Sequence, residues 1–134
     1  MKLLSASMLA LVLLSGCGGG GGGDDGQAAA VVVPPTQAVD GALVGSNGMS
    51  LYIFDKDTAG SGKSACNGQC AANWPPLQAP ENAQDLGNYS VVGRDDGTRQ
   101  WAYNGLPLYF WFKDTKPGDR TGDGVGGVWH LARP

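Results

Sequence analysis

Asn47-Gly48-Met49-Ser50-Leu51-Tyr52-Ile53-Phe54-Asp55-Lys56-Asp57-Thr58 is written a second time as Asn104-Gly105-Leu106-Pro107-Leu108-Tyr109-Phe110-Trp111-Phe112-Lys113-Asp114-Thr115. Asn, Gly, Leu, Tyr, Lys, Asp and Thr recur at the same offsets, and Trp111 answers Phe54. Beyond the phrase, Trp74 is answered by Trp129 at nearly the same spacing. A repeated phrase means a repeated structural unit, so it decides the fold before any single residue is read. It does not decide the chemistry.

Working outward to the start of the chain, Met1-Lys2 gives a short positive beginning and Leu3 to Leu14 an apolar run. That run is shorter than the roughly 20 apolar residues a permanent membrane span needs, and it reads as an export signal over residues 1–16. Leu14-Ser15-Gly16-Cys17 matches the bacterial lipobox, which implies cleavage before Cys17 and acyl chains (palmitate among them) on that residue. An ordinary secretory signal that contains a cysteine is the other reading. Several acyl chains, at about 0.8 kcal/mol per buried methylene, hold a protein firmly on a bilayer. The expected location is extracytoplasmic, on the periplasmic face or the cell surface.

The chain has three cysteines, an odd number that calls for an explanation in an exported protein. With Cys17 carrying lipid, Cys66 and Cys70 remain as a pair in an oxidising compartment. Residues 17–36, with the run Gly18 to Gly23, three alanines, three valines and Pro34-Pro35, read as a tether. The valine triplet has a second reading, as a first strand docked on the domain. One domain of about 98 residues follows, 37–134, long enough for a single modest core. The formal net charge is −3 and becomes −4 once Lys2 leaves with the signal. Arg94 and Arg99 read as isolated charges beside Asp95 and Asp96, so nucleic acid is not an expected partner.

Asn-Gly is a strong hairpin signal because both central residues of the favoured turn take positive φ. It stands at Asn47-Gly48, after Ala42-Leu43-Val44, and at Asn104-Gly105, after Gln100-Trp101-Ala102-Tyr103. Asp95-Asp96-Gly97-Thr98 marks a turn following Tyr89-Ser90-Val91-Val92, and a last strand is expected over Val128 to Leu131. Glycine and proline are too frequent for an amphipathic helix, so at most Cys66 to Trp74 makes a helical turn. The expected fold is mostly β: a small single domain of two pseudo-equivalent antiparallel hairpin repeats, about 39–77 and 89–134, sharing one core as a barrel or a sandwich. Both faces of the motif strand are apolar. Either the strand is covered on both sides, or Tyr52, Phe54, Tyr109 and Trp111 form an open ligand surface with Asp57 and Asp114 at its edge. The aspartates have a plainer role as acceptors that pin the strand exits.

The spacing Tyr-x-aromatic-x-x-Asp, at Tyr52-Phe54-Asp57 and Tyr109-Trp111-Asp114, stands with Cys66-Asn67-Gly68-Gln69-Cys70 and Trp74-Pro75-Pro76-Leu77. Asp95-Gly97, Gln100 to Gly105 and Val128-Trp129-His130 complete a pattern that resembles the predicted bacterial lipoproteins called the secreted repeat of unknown function. The resemblance spans the whole domain and implies an envelope location and a paired repeat. It carries no activity that transfers to a residue.

Cys66 and Cys70 read as a disulfide closing a very small loop, with a redox pair or metal ligands as the alternatives. Asp119, Asp123 and His130 are weak metal candidates, since the loop from Lys116 to Gly127 lacks the alternating acids and closing Glu of a calcium loop. Gly60-Ser61-Gly62-Lys63-Ser64 mimics the end of a phosphate loop, but Asp57 stands where its first glycine belongs. No catalytic motif is visible, and neither an enzyme nor a cofactor is expected. The expectation is a membrane-anchored, non-catalytic binding module whose partner is another envelope protein or a small ligand. A redox, metal or haem accessory protein using Cys66, Cys70 or His130 is the alternative.

Overall fold

The two copies of the motif meet each other at the centre of the fold. In the computed structural model, which describes residues 33–134, Tyr52 N–H donates to the Tyr109 carbonyl (2.8 Å) and Tyr109 N–H to the Tyr52 carbonyl (3.0 Å). Such a reciprocal antiparallel pair has a local two-fold axis between its members, and the rest of the domain is arranged around it. The signal segment, Cys17 and the tether as far as residue 32 lie outside the described residues.

The strands are β1 (Gln37–Val39), β2 (Ala42–Val44), β3 (Tyr52–Phe54), β4 (Gln78–Ala79), β5 (Tyr89–Gly93), β6 (Arg99–Tyr103), β7 (Leu106–Pro107) and β8 (Trp129–Leu131), with one short helix, α1 (Gln69–Asn73). β1 pairs with β2, β3 with β8, and β6 carries β4, β5 and β7, all antiparallel. The fold is mostly β, as the two repeats predict, and its sheets stay open in a sandwich-like arrangement rather than closing a barrel.

The closing strand of each repeat lies in the sheet of the other. β8, from the end of repeat two, sets Leu131 opposite Tyr52, His130 opposite Ile53 and Trp129 opposite Phe54. The segment after α1, from the end of repeat one, lies on the second motif: Phe112 N–H donates to Asn73 O (2.9 Å), Phe110 N–H to Pro75 O (2.7 Å) and Leu77 N–H to Leu108 O (2.9 Å). The first of these matches Asp55 N–H to Val128 O (2.8 Å) in the other half, at the same repeat offsets.

Both faces of the motif strands are covered. Tyr52, Phe54, Tyr109, Trp74, Trp129, Leu131, Ala42 and Cys66 pack on one side, and Leu43, Leu51, Leu108 and Ala132 on the other. Four rings stack in a column across the pseudo-axis: Phe54 on Trp129 (4.1 Å), Trp129 on Trp74 (3.8 Å) and Trp74 on Trp111 (3.9 Å). Tyr52 meets Trp74 edge-on and Tyr109 meets Trp129 edge-on, again as equivalents. Aromatic pairs contribute about 0.5–1.5 kcal/mol each beyond their buried area, which makes this column the main joint between the repeats.

The two Asn-Gly turns are not alike, contrary to the expectation. Asn104 (φ 51°) and Gly105 (φ 83°) form the two-residue hairpin between β6 and β7, whereas at Asn47-Gly48 only the glycine has positive φ (80°). There Gly48 N–H closes on Gly45 O (2.9 Å) and Asn47 Oδ1 accepts Met49 N–H (2.9 Å), a longer turn that needs no left-handed Asn. The other two-residue turn is Asp40-Gly41 (φ 49° and 80°), joining β1 to β2.

Candidate functional site

The motif's polar groups answer one another across the pseudo-axis. Tyr52 Oη donates to Asp114 Oδ2 (2.6 Å) and Tyr109 Oη to Asp57 Oδ2 (2.7 Å), so each repeat's tyrosine is held by the other repeat's aspartate. The second carboxylate oxygen fixes a strand exit. Asp57 Oδ1 accepts Ala65 N–H (2.6 Å), and Asp114 Oδ1 accepts Thr121 N–H (3.0 Å) and its hydroxyl (2.6 Å). Both tyrosines are fully buried, and Phe54, Asp57 and Asp114 are buried too. Tyr52, Tyr109, Phe54, Asp57 and Asp114 thus form the interior of the joint, not an open ligand face; Trp111 is part-exposed, and beside it Phe110 is part-exposed and Phe112 exposed. Burial pushes both phenols well above their ordinary range, with the facing carboxylate adding to the shift. Burial also raises the Asp57 carboxyl, opposed by the Ala65 N–H, the Tyr109 hydroxyl and the Arg94 charge.

Arg94 is not the isolated surface charge that its acidic neighbours suggest. It is buried, and its guanidinium donates to Cys66 O (2.7 Å), Gln100 Oε1 (2.7 Å), Ser64 Oγ (3.0 Å) and Asn67 Oδ1 (3.2 Å). Gln100, with no exposed surface, passes the network on by donating to Leu108 O (2.7 Å). Ser64 Oγ shares a 2.6 Å bond with Tyr109 Oη, which links the network to Asp57. Nothing in the sequence joins Ser64, Arg94 and Gln100 to one another. The one available signal was strand alternation, which sets Gln100 on the same face of β6 as buried Ala102.

Cys66 and Cys70 are joined in a disulfide with Cα atoms 5.2 Å apart. Cys66 is fully buried in the aromatic cluster and Cys70 packs against it, while Arg94 grips the Cys66 carbonyl. The bond thereby pins the loop after Asp57, which has no cysteines in its counterpart after Asp114.

Asp119, Asp123 and His130 have separate engagements. Asp119 caps its own turn, accepting from Thr115 N–H (2.9 Å) and Lys116 Nζ (2.8 Å), and the Lys116 ammonium holds its carboxyl well below the usual range. Asp123 Oδ1 accepts Leu131 N–H (3.0 Å), and His130 Nε2 lies 2.8 Å from Asp55 Oδ2 on the surface. No group of three potential ligands is gathered among the described residues.

A concavity of about 580 Å³ opens where the β1–β2 turn faces the loop after Asp114. Val39 and Asp40 form one wall, Pro117, Gly118 and Arg120 the other, with Val44 and Ser50 between them. The walls are tied together: Arg120 Nη2 donates to Val39 O (3.1 Å) and Asp40 O (3.0 Å), and Ser50 Oγ donates to Asp119 O (2.7 Å). A smaller pocket of about 250 Å³ lies beside Asp57 and Ser64, rimmed by Lys56 and Lys63. Ser61 and Lys63 of the phosphate-loop look-alike bond locally, Ser61 Oγ accepting Lys63 N–H (3.2 Å).

A family model described as a secreted repeat of unknown function matches the chain twice, at residues 36–78 and 90–133. These two matches coincide with the two halves that exchange closing strands. No match is found among curated proteins or among solved structures. Among the described residues, no helix is long and apolar enough to cross a membrane.

Proposed function

The chain belongs to the family of secreted repeats of unknown function, and from that premise we propose that it is a lipid-anchored, non-catalytic binding module of the bacterial envelope. Its first 16 residues are the signal, Cys17 carries the lipid, and the stretch to residue 36 is the tether. The groove between the β1–β2 turn and the Pro117–Arg120 loop supports the binding role. Its lining combines apolar side chains (Val39, Val44, Pro117) with an acid and a base (Asp40, Arg120) on a braced surface. Apolar concavities with a few fixed polar groups are the usual form of small-ligand and side-chain sites. The recurring Tyr and Asp groups spend their hydrogen bonds on each other inside the core, so they serve as scaffold. Specific contacts belong to the parts where the copies differ.

Two experiments test this reading. Cys17→Ser moves the protein from the membrane to the soluble fraction and removes the acyl mass from its N-terminus; a variant that stays on the membrane overturns the anchor. A photo-crosslinking residue at Val39, which is 45% exposed, captures a discrete adduct in the intact envelope, whereas one at Thr98 on the β5–β6 turn does not. Equal labelling from both positions, or none, removes the groove from the account.

A further inference from the structure

Each half of this chain is completed by a strand that the other half supplies. Repeat one lacks β8, the partner of β3, and repeat two lacks the Asn73–Leu77 segment whose carbonyls accept the Phe110 and Phe112 N–H groups. The donor–acceptor pairs Tyr52–Asp114 and Tyr109–Asp57 cross the same boundary, as does the Trp74–Trp129 stack. Nothing in these contacts specifies that the two halves belong to one molecule. We propose that the chain also forms an exchanged dimer, in which repeat one of each copy closes on repeat two of a second copy. This proposal stands on the fold and is independent of the anchor and the groove.

The connection between the halves decides between the two closures. It runs from Pro80 to Asn88 and is exposed along most of its length. It is held by a turn from Ala83 N–H to Pro80 O (3.0 Å), by reciprocal bonds between Leu86 and Tyr89 (2.9 and 2.8 Å), and by Asp85 Oδ1 accepting Val91 N–H (3.0 Å). No buried hydrophobic core residue lies within it. Straightened, nine residues span about 30 Å, enough to carry one half to a neighbouring copy. The exchanged dimer keeps every contact between the halves and alters only this connection. Its formation is therefore governed by local concentration while the chains fold, and its persistence by the unfolding barrier.

Ile53 and His130 provide the test because they stand directly opposite each other across β3 and β8 and are both part-exposed. Opposed residues of an antiparallel pair have Cβ atoms about 4.5–5.5 Å apart, near the reach of a disulfide. Two differently tagged full-length chains are co-expressed for export, both with C17S, one with I53C and the other with H130C. The expected product is a covalent heterodimer of twice the monomer mass, with no I53C–I53C species. A single chain carrying both I53C and H130C closes internally in its monomer fraction and between copies in its dimer fraction, and the internally closed species establishes that the substitutions fold and that the sulfurs meet. Wild-type protein is also refolded across a hundredfold range of concentration and its mass measured by light scattering. A dimer fraction that rises with concentration and then resists dilution is expected. Monomer at every concentration, together with absence of the mixed disulfide, overturns the proposal.

Discussion

Tyr52 and Tyr109 hold their protons far more tightly than a solvated phenol because each is buried with a carboxylate opposite its hydroxyl. The unfolded chain releases those protons near pH 10, while the folded chain keeps them. Folded protein therefore binds more protons above that pH, and stability falls as pH rises, by about 1.4 kcal/mol per unit for each tyrosine. Urea midpoints measured from pH 8 to 11.5 are expected to be level at first and then drop. Y52F and Y109F, each about 1–3 kcal/mol less stable at pH 8 through a carboxylate that loses its donor, drop with a shallower slope. A slope unchanged in the double variant places the alkaline transition elsewhere. Asp57 acts in the same sense at lower pH. Its carboxyl is raised by burial, so stability increases as pH falls from neutral through the raised value towards the ordinary one near 4, and D57N flattens that limb. The position of the aspartates at the strand exits was legible from the motif. Their tyrosine partners were not, because each lies in the other copy, more than fifty residues away in sequence.

At the level of single elements, two glycines with the same backbone need separate the cost of strain from the cost of crowding. Gly97 (φ 87°) and Gly105 (φ 83°) both sit in the left-handed region, but a Cβ on Gly97 meets nothing within 4 Å. A Cβ on Gly105 lies 2.6 Å from the Gly60 backbone nitrogen, in the loop of the opposite repeat. G97A is expected to cost about 1–2 kcal/mol, the penalty of a left-handed alanine. G105A costs at least about 1 kcal/mol more by thermal or urea unfolding, as Gly60 N–H is pushed off the Gly105 carbonyl it bonds at 3.0 Å. Equal losses show that the two loops do not touch. Removing the disulfide as C66S/C70S costs about 2 kcal/mol by the entropy of so short a loop. Hairpin strands β2, β5, β6 and β8 were legible because apolar alternation and turn residues frame them. β1 was not, because Gln37-Ala38-Val39 is exposed throughout and shows no period; the Asp40-Gly41 pair was its only sign. Asn47-Gly48 misled for a related reason, since the Asn side chain satisfies Met49 N–H and the backbone needs only glycine on the left-handed side.

Across the whole domain, the exchange of closing strands removes the independence that tandem repeats usually have. Arrays of stacked repeats unfold in steps because each unit contacts only its neighbours. Here the pairing of each motif strand is completed from the other half, so Pro34–Pro134 is expected to unfold in one transition, with secondary structure and aromatic packing lost at the same denaturant concentration. Two separated transitions, one per repeat, are the contrary result. Duplication and β class were legible in the sequence. The exchange was not, since periodicity identifies a strand but not which of two equivalent neighbours it pairs with. The aromatic column gives that joint an optical signature. Three of the four tryptophans lie in it, and the indoles of Trp74 and Trp129 are parallel to within 4° at 3.8 Å, one from each repeat. At that spacing their excited states mix. Absorption and near-ultraviolet dichroism then report the pair rather than two separate rings, and light taken up by one repeat is shared at once with the other.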